Sequence, residues 1–302
     1  MPEKVVTITS AAAREQIPVS AEPDLQTDTI TIPVKLCNLQ PLNSIANQVL
    51  SLSADPNVDL RHLAFVMEGD PAFAAEILLL ANSSLFGFTS RMSVLRHAVA
   101  VLGLDSIKAL AVTVAMRAFL GQGSPLVRQC WRHSAACAVI AEEISPIFAF
   151  SSDQAYTAAL MHDIGRLGLL KSYARDFTPV VEGHYTDQAA ILSAERAALH
   201  VDHGSAGAWL VNNWAYPQSF ADVCAHHHDP LHPKDSVVLR LVKVACRMAD
   251  ALDYLAVPYQ EVASYSTVIA QLPPGIRGER FPAEDELREN VKARLAVFEL
   301  QA

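Results

Sequence analysis

The adjacent residues His162 and Asp163 carry the densest chemistry in the chain. Together they offer an imidazole nitrogen and a carboxylate able to bridge, a donor pair suited to one or two metal ions. The stretch before them, Ala155-Tyr-Thr-Ala-Ala-Leu-Met161, forms helix readily, and Ala155, Ala158, Ala159 and His162 fall at i, i+3, i+4 and i+7. That spacing turns His162 inward on a helix that small residues let neighbours approach, with Asp163 about 100° further round. A His-Asp pair is common in long chains, so its meaning depends on other inward-facing donors.

Such donors recur downstream. His133 sits in the stripe Leu126, Cys130, His133, Cys137, Ile140 and Ile144, whose steps of 4, 3, 4, 3, 4 mark one helical face. His203 follows Asp202, a candidate N-cap. His227 completes the stripe of Phe220, Val223 and Cys224, while His226 and His228 flank it on opposite sides and periodicity does not choose between them. Asp250 stands beside the stripe of Leu239, Val242, Cys246 and Ala249. Burying these groups unpartnered would cost several kcal/mol each. A shared divalent cation removes that cost, and imidazole with carboxylate suits iron, manganese or zinc. The same side chains are those used to activate bound water. Each could instead be satisfied by backbone carbonyls in a purely structural role. Glu195-Arg196 reads as a charge pair on a helix surface and Asp105 as a cap. Ser83, Ser84 and Ser134 lack a nucleophile-elbow context, and no glycine-rich phosphate loop is present.

The elements that must position these donors are helical. Leu42, Ile45, Val49 and Leu52 make a first stripe ending at the turn 54–57. Asp59 and Asp70-Pro71 mark two helix starts, and Ser93 is a candidate cap for a third that Gly103 breaks before an apolar helix over 106–120. Short helices are expected around 167–171 and 189–199. No convincing period-2 segment appears, so the expected fold is all-α. The glycine-rich Gly121-Gln-Gly-Ser-Pro125 is the natural subdomain boundary. The expected organisation is a mobile arm or short extended segment over 1–31, a helical lobe over 32–121, a second lobe with the candidate metal site over 122–257, and an extension over 258–302 ending in a surface helix.

Composition narrows the class. A net charge of −9 and a pI near 5.6 argue against phosphate neutralisation, hence no nucleic-acid partner. The five cysteines show no CxxC spacing and read as buried free thiols of a reducing compartment. The start lacks a signal-peptide pattern, no run of about 18 uncharged apolar residues occurs, and mean hydropathy is +0.20. The expected protein is cytoplasmic, without a membrane partner.

The motifs together resemble a known family. His162-Asp-Ile-Gly165, with Trp131-Arg-His133-Ser134 upstream and Asp250 downstream, is similar to the HD superfamily of metal-dependent phosphohydrolases. Asp70-Pro-Ala-Phe-Ala-Ala-Glu-Ile-Leu-Leu-Leu-Ala-Asn-Ser83, Leu102-Gly-Leu-Asp105, Asp202-His-Gly204, Trp214 to Pro217 and His227-His-Asp-Pro230 sharpen this to HDOD, the HD-related output domains of bacteria. The resemblance spans roughly 33–255 and implies a two-lobed helical fold in signal transduction, often beside cyclic di-GMP pathways. Many HDOD proteins have lost metal ligands, whereas this set resembles that of the HD-GYP cyclic-di-GMP phosphodiesterases. The lysine expected three residues after the Asp is Arg166, and no Gly-Tyr-Pro follows His228. The leading expectation is an output module that binds signalling proteins and a divalent metal. The alternative is a phosphohydrolase acting on a nucleotide or cyclic dinucleotide. The resemblance then implies one ion on His133, His162, Asp163 and Asp250, and a second on His203, His227 and His228. Asp163 would bridge them, and Arg166 would steady the phosphate or make a surface salt bridge.

Overall fold

A computed structural model describes residues 5–8, 30–42, 44–52, 59–83, 86–88, 91–121 and 123–299. Most of the arm expected over 1–31 and the turn expected at 54–57 lie outside them. Within the arm, β1 (Val5–Ile8) pairs antiparallel with β2 (Ile30–Pro33), Val5 opposite Pro33 and Ile8 opposite Ile30. These β-branched runs are too short to alternate visibly, which is why the pair escapes periodicity.

The rest of the described fold is helical. First come α1 (Val34–Cys37), α2 (Ser44–Leu52), α3 (Leu60–Glu68), α4 (Pro71–Ala81) and α5 (Leu95–Leu120). Then follow α6 (Pro125–Ile144), α7 (Ser152–Met161), α8 (Ile164–Val181), α9 (Gln188–Leu199), α10 (His203–Asn213), α11 (Gln218–His226) and α12 (Val237–Ala251). The chain closes with α13 (Tyr265–Ala270), α14 (Pro274–Arg277) and α15 (Glu284–Glu299), whose inner face lies on α6.

Local signals fix many boundaries. Asp59 accepts from the Arg61 amide, and Asp70 accepts from the amides of Ala72 and Phe73 with Pro71 at N1. Asp202 caps α10 through Ser205. Ser93 does not cap α5, whose N-cap is Val94 without a side-chain bond. Gly103 breaks α5 as its position suggests, with φ 81° and ψ 170°, a conformation that costs other residues dearly. Gly121, at φ 60°, ends α5, and Pro125 opens α6.

α5 is long and apolar enough to cross a membrane by length and composition, and 56% of its apolar window is buried within the fold. It packs on α2, α3 and α4 on one side and on α7 on the other. Thr113 and Tyr156 join α5 to α7 by a hydroxyl pair at 2.9 Å, and the Trp214 indole donates to the Leu39 carbonyl at 3.4 Å. One apolar cluster therefore runs unbroken from Ile32 to Phe298.

Candidate metal centre

The His-Asp pair does not sit within a helix, as the repeat suggests, but at the junction of two. α7 ends at Met161, His162 is its C-cap, and Asp163 is the N-cap position of α8. Both side chains are buried. A junction lets two successive residues face one interior, which a continuous helix turning 100° per residue does not. Gly165 completes the arrangement. A Cβ there would meet the His203 carbonyl at 2.0 Å and the Gly207 amide at 2.4 Å, so only glycine lets α10 bring His203 against Asp163.

The imidazoles form a continuous chain. Ring centroids separate His133 from His162 by 5.2 Å, His162 from His227 by 4.7 Å, and His227 from His203 by 5.2 Å. Backbone and carboxylate acceptors fix their orientation. Nδ1 faces the Tyr254 carbonyl at 2.6 Å in His133, the Ala159 carbonyl at 2.6 Å in His162, and the Cys224 carbonyl at 2.8 Å in His227. In His203 it faces Glu195 Oε2 at 2.6 Å. Acceptors at Nδ1 make it the protonated nitrogen and leave each Nε2 lone pair for the interior.

Those Nε2 atoms gather in two places. His203 Nε2 lies 3.2 Å from His227 Nε2 and 3.0 Å from His228 Nε2. An ion bound by imidazoles at about 2.0–2.1 Å separates cis nitrogens by about 2.9–3.4 Å, so the spacing suits a cation. Asp163 Oδ1, buried and without a hydrogen-bond partner, points at this group, 3.4 Å from His203 Nε2. The residues thus fit a divalent ion held by His203, His227 and His228, whose ligand atoms lie within 4.8 Å of one another, with Asp163 Oδ1 beside His203. His228, not His226, is the flanking member: His226 is exposed and pairs with Asp229 at 2.8 Å.

The second gathering departs from the expected set. Asp250 does not join His133, His162 and Asp163 around a common centre. Its Oδ1 lies 3.5 Å from His133 Nδ1, on the ring edge away from Nε2, and its Oδ2 accepts from Tyr259 at 2.7 Å and Gln188 at 3.4 Å. Asp250 supports His133 from behind. What faces His133 Nε2 is sulfur, Cys137 Sγ and Cys246 Sγ each at 3.6 Å.

Arg166 also sits elsewhere than expected. It is 2% exposed, with no place on the surface. Its Nε donates to Asp163 Oδ2 at 2.9 Å, its Nη1 to Glu195 Oε1 at 2.7 Å, and its Nη2 lies 3.1 Å from the His203 ring nitrogens. Its fork positions Asp163 and Glu195. Glu195 is no surface partner of Arg196: it is 0% exposed and contacts Arg166, the His203 ring and the His203 amide, while Arg196 pairs with Asp202 at 2.6 Å. The signal was present, because Ile191, Glu195 and Leu199 lie four apart on the buried face of α9. Cys137 and Cys246, read as plain core thiols, also stood on inward stripes.

Titration follows the burial. Burial would raise Asp163, yet Arg166 and His203 hold it well below the usual carboxylate range, and His203 and Arg166 likewise lower Glu195. Burial and the neighbouring imidazoles push His227 down to about 3 and lower His228. Burial lifts Asp250 to about 7. His133 rises to about 10, its burial outweighed by Cys246, and Cys246 is lowered by Cys137.

Comparison places the chain in a family. The HDOD domain model matches residues 39–230. The chain belongs to the HDOD family. An HDOD domain protein of unknown function from Geobacter sulfurreducens superposes with a TM-score of 0.67 at 22% identity, covering 87% of this chain and 93% of that one. A protein from Shewanella amazonensis, provisionally named a phosphohydrolase, gives a TM-score of 0.66 at 17% identity, covering 89% and 97%. An uncharacterised protein of Treponema pallidum is 21% identical over 218 residues, 69% of this chain. The chain spans 42% of the length of that relative. The HDOD fold is all-helical, as the patterning implies.

Proposed function

We propose that this HDOD protein is a signal-transduction output module that holds a divalent metal, iron, manganese or zinc, on His203, His227, His228 and Asp163 and acts by binding a signalling protein. The observation that carries this reading is the convergence of three Nε2 atoms and an orphaned carboxylate oxygen in a buried setting. A bound ion supplies the positive charge that offsets burial of these donors and, where a phosphate can reach it, Lewis acidity. Arg166 and Glu195 orient Asp163 and His203 rather than reach outward. The exposed large hydrophobics among the described residues, Leu60, Phe65, Leu79, Phe88, Val94 and Val101, all lie between positions 60 and 101, a stretch that offers apolar side chains to a protein partner.

A second reading, a phosphohydrolase acting on a nucleotide or cyclic dinucleotide, is favoured by His228, which is only half-buried and gives the trihistidine group its edge toward solvent.

The test is elemental analysis of protein purified without chelators or a nickel column, beside His203→Ala and Asp163→Ala variants, followed by a hydrolysis assay of the metal-loaded protein on cyclic di-GMP. Loss of about one equivalent of metal in both variants relative to the wild type, without turnover, supports the output module. Turnover that vanishes with the metal establishes the hydrolase. Wild-type protein that stays metal-free after reconstitution overturns both.

A further inference from the structure

We infer that the chain carries a second, thiolate-rich metal site in which His133, Cys137, His162 and Cys246 hold one zinc-class ion. This deepens the metal-holding reading of the same lobe but uses a separate set of donors. The four donor atoms, all on buried residues, lie within 4.8 Å of one another. His133 and Cys137 are one turn apart on α6, Cys246 comes from α12 one turn before Asp250, and His162 ends α7. These three helices pack mutually, so the donors approach a point from three directions.

The distances decide what that point suits. Tetrahedral zinc, with Zn–N of about 2.0–2.1 Å and Zn–S of about 2.3 Å, separates a nitrogen from a sulfur ligand by about 3.6 Å. Both sulfurs stand 3.6 Å from His133 Nε2. A single hydrogen bond accounts for this less well, because Nε2 carries one lone pair or one N–H and two sulfurs face it equally. His162 Nε2, its ring held at Nδ1 by the Ala159 carbonyl, is buried without a hydrogen-bond partner. Two thiolates and two imidazoles make a soft, closed set with no carboxylate, which selects zinc over manganese or magnesium. On binding, each thiol that is still protonated releases its proton to solvent as sulfur donates to the ion.

Cobalt(II) reports the ligands by spectrum. The full chain, reduced and transferred to thiol-free buffer, is titrated with cobalt chloride while absorbance is followed. The expected result is a thiolate-to-cobalt charge-transfer band in the near ultraviolet, with intense visible bands of a tetrahedral ion, saturating at one equivalent. Zinc should bleach it at stoichiometric amounts, whereas a tenfold excess of manganese should not. Cys137→Ser and Cys246→Ser should each abolish the charge-transfer band. Cys130→Ser, whose thiol lies against the Ala256 carbonyl, should keep it, as should His203→Ala, which strikes only the other group of ligands. Wild-type protein that is helical by circular dichroism yet shows no such band overturns the inference even if the serine variants fail to fold. So does a band that survives the double cysteine substitution. Wild-type protein whose trihistidine group binds no metal while this band is intact would sink the earlier proposal and leave this one standing.

Discussion

At the scale of single residues, the decisive group is one that its neighbours in sequence disguise. Glu195 precedes Arg196, and adjacent opposite charges read as a solvated pair, yet only Arg196, 58% exposed, fits that description. Glu195 holds both the Arg166 guanidinium and the His203 ring in the interior. Replacing Glu195 with Ala leaves a buried cation half-paired and His203 without its Nδ1 acceptor. The expected cost is about 3–5 kcal/mol in chemical denaturation, and roughly 10–100-fold in metal affinity by titration calorimetry. Arg196→Ala should cost less, about 1 kcal/mol, since Arg196 is largely exposed and its buried partner Asp202 keeps the Ser205 amide as a donor. Equal effects of the two substitutions would contradict the structure. Titration gives a second expectation, for chelated protein. His227 falls to about 3 in the fold, below its ordinary value near 6.5, so its neutral form is favoured by folding. Its contribution is therefore fully present above about 6.5 and lost as pH falls toward 3. Asp250, raised to about 7, works oppositely: its contribution is present below about 4 and is lost as pH rises through 7. His228 is lowered like His227, so the two histidines outweigh the one carboxylate. The midpoint of chelated protein in urea should fall between pH 6.5 and 4, and His227→Gln should flatten the dependence. A midpoint rising over that interval would refute the assignment.

At the scale of elements, much was legible because helices announce their faces. The α6 stripe contained both His133 and Cys137, the α12 stripe contained Cys246, and α11 delivered His227. Periodicity states that a side chain points inward. It does not state which inward atoms meet, because that depends on how helices cross. Asp250 and Cys246, one turn apart on α12, illustrate the gap: both are buried, but the sulfur faces His133 Nε2 and the carboxylate faces Nδ1. Where helices meet is set by small residues, and here the sequence did speak, through the glycine of His162-Asp-Ile-Gly165. Gly165→Ala drives a methyl into the His203 carbonyl and should part α8 from α10. We expect a destabilisation of about 1–3 kcal/mol or more, with loss of metal at the trihistidine group. Gly103 provides the contrast. A Cβ there meets nothing within 4 Å, so Gly103→Ala suffers only from its positive φ, of order 1–3 kcal/mol, and should keep metal. Metal content separates the two variants even if their stabilities agree. Should Gly165→Ala bind metal like the wild type, the close approach of α8 and α10 is not what places His203.

At the scale of the whole molecule, the question is whether events at the trihistidine group reach the helices that carry the exposed apolar residues between 60 and 101. The glycine-rich stretch at Gly121–Pro125 suggests two units, but the apolar core does not stop there. It continues from α5 into α7 and from α1 into α8, and polar contacts such as Lys171 to the Phe119 carbonyl and Tyr216 to Asn47 cross the same boundary. A continuous core predicts one cooperative transition, with calorimetric and van't Hoff enthalpies that agree. Metal bound only to the native state would then raise the midpoint of the entire chain. At free metal one hundred times its dissociation constant the gain is about 2.7 kcal/mol, and for a chain of this size that is roughly 4 °C. Differential scanning calorimetry with and without chelator reads both quantities at once. One peak that moves as a whole means that the first group of helices is stabilised by an ion it does not touch, which is the coupling an output module requires. Two peaks, of which only one responds to chelator, would mean that the trihistidine group and the first group of helices are energetically separate, and signalling would have to run through residues of the second group alone.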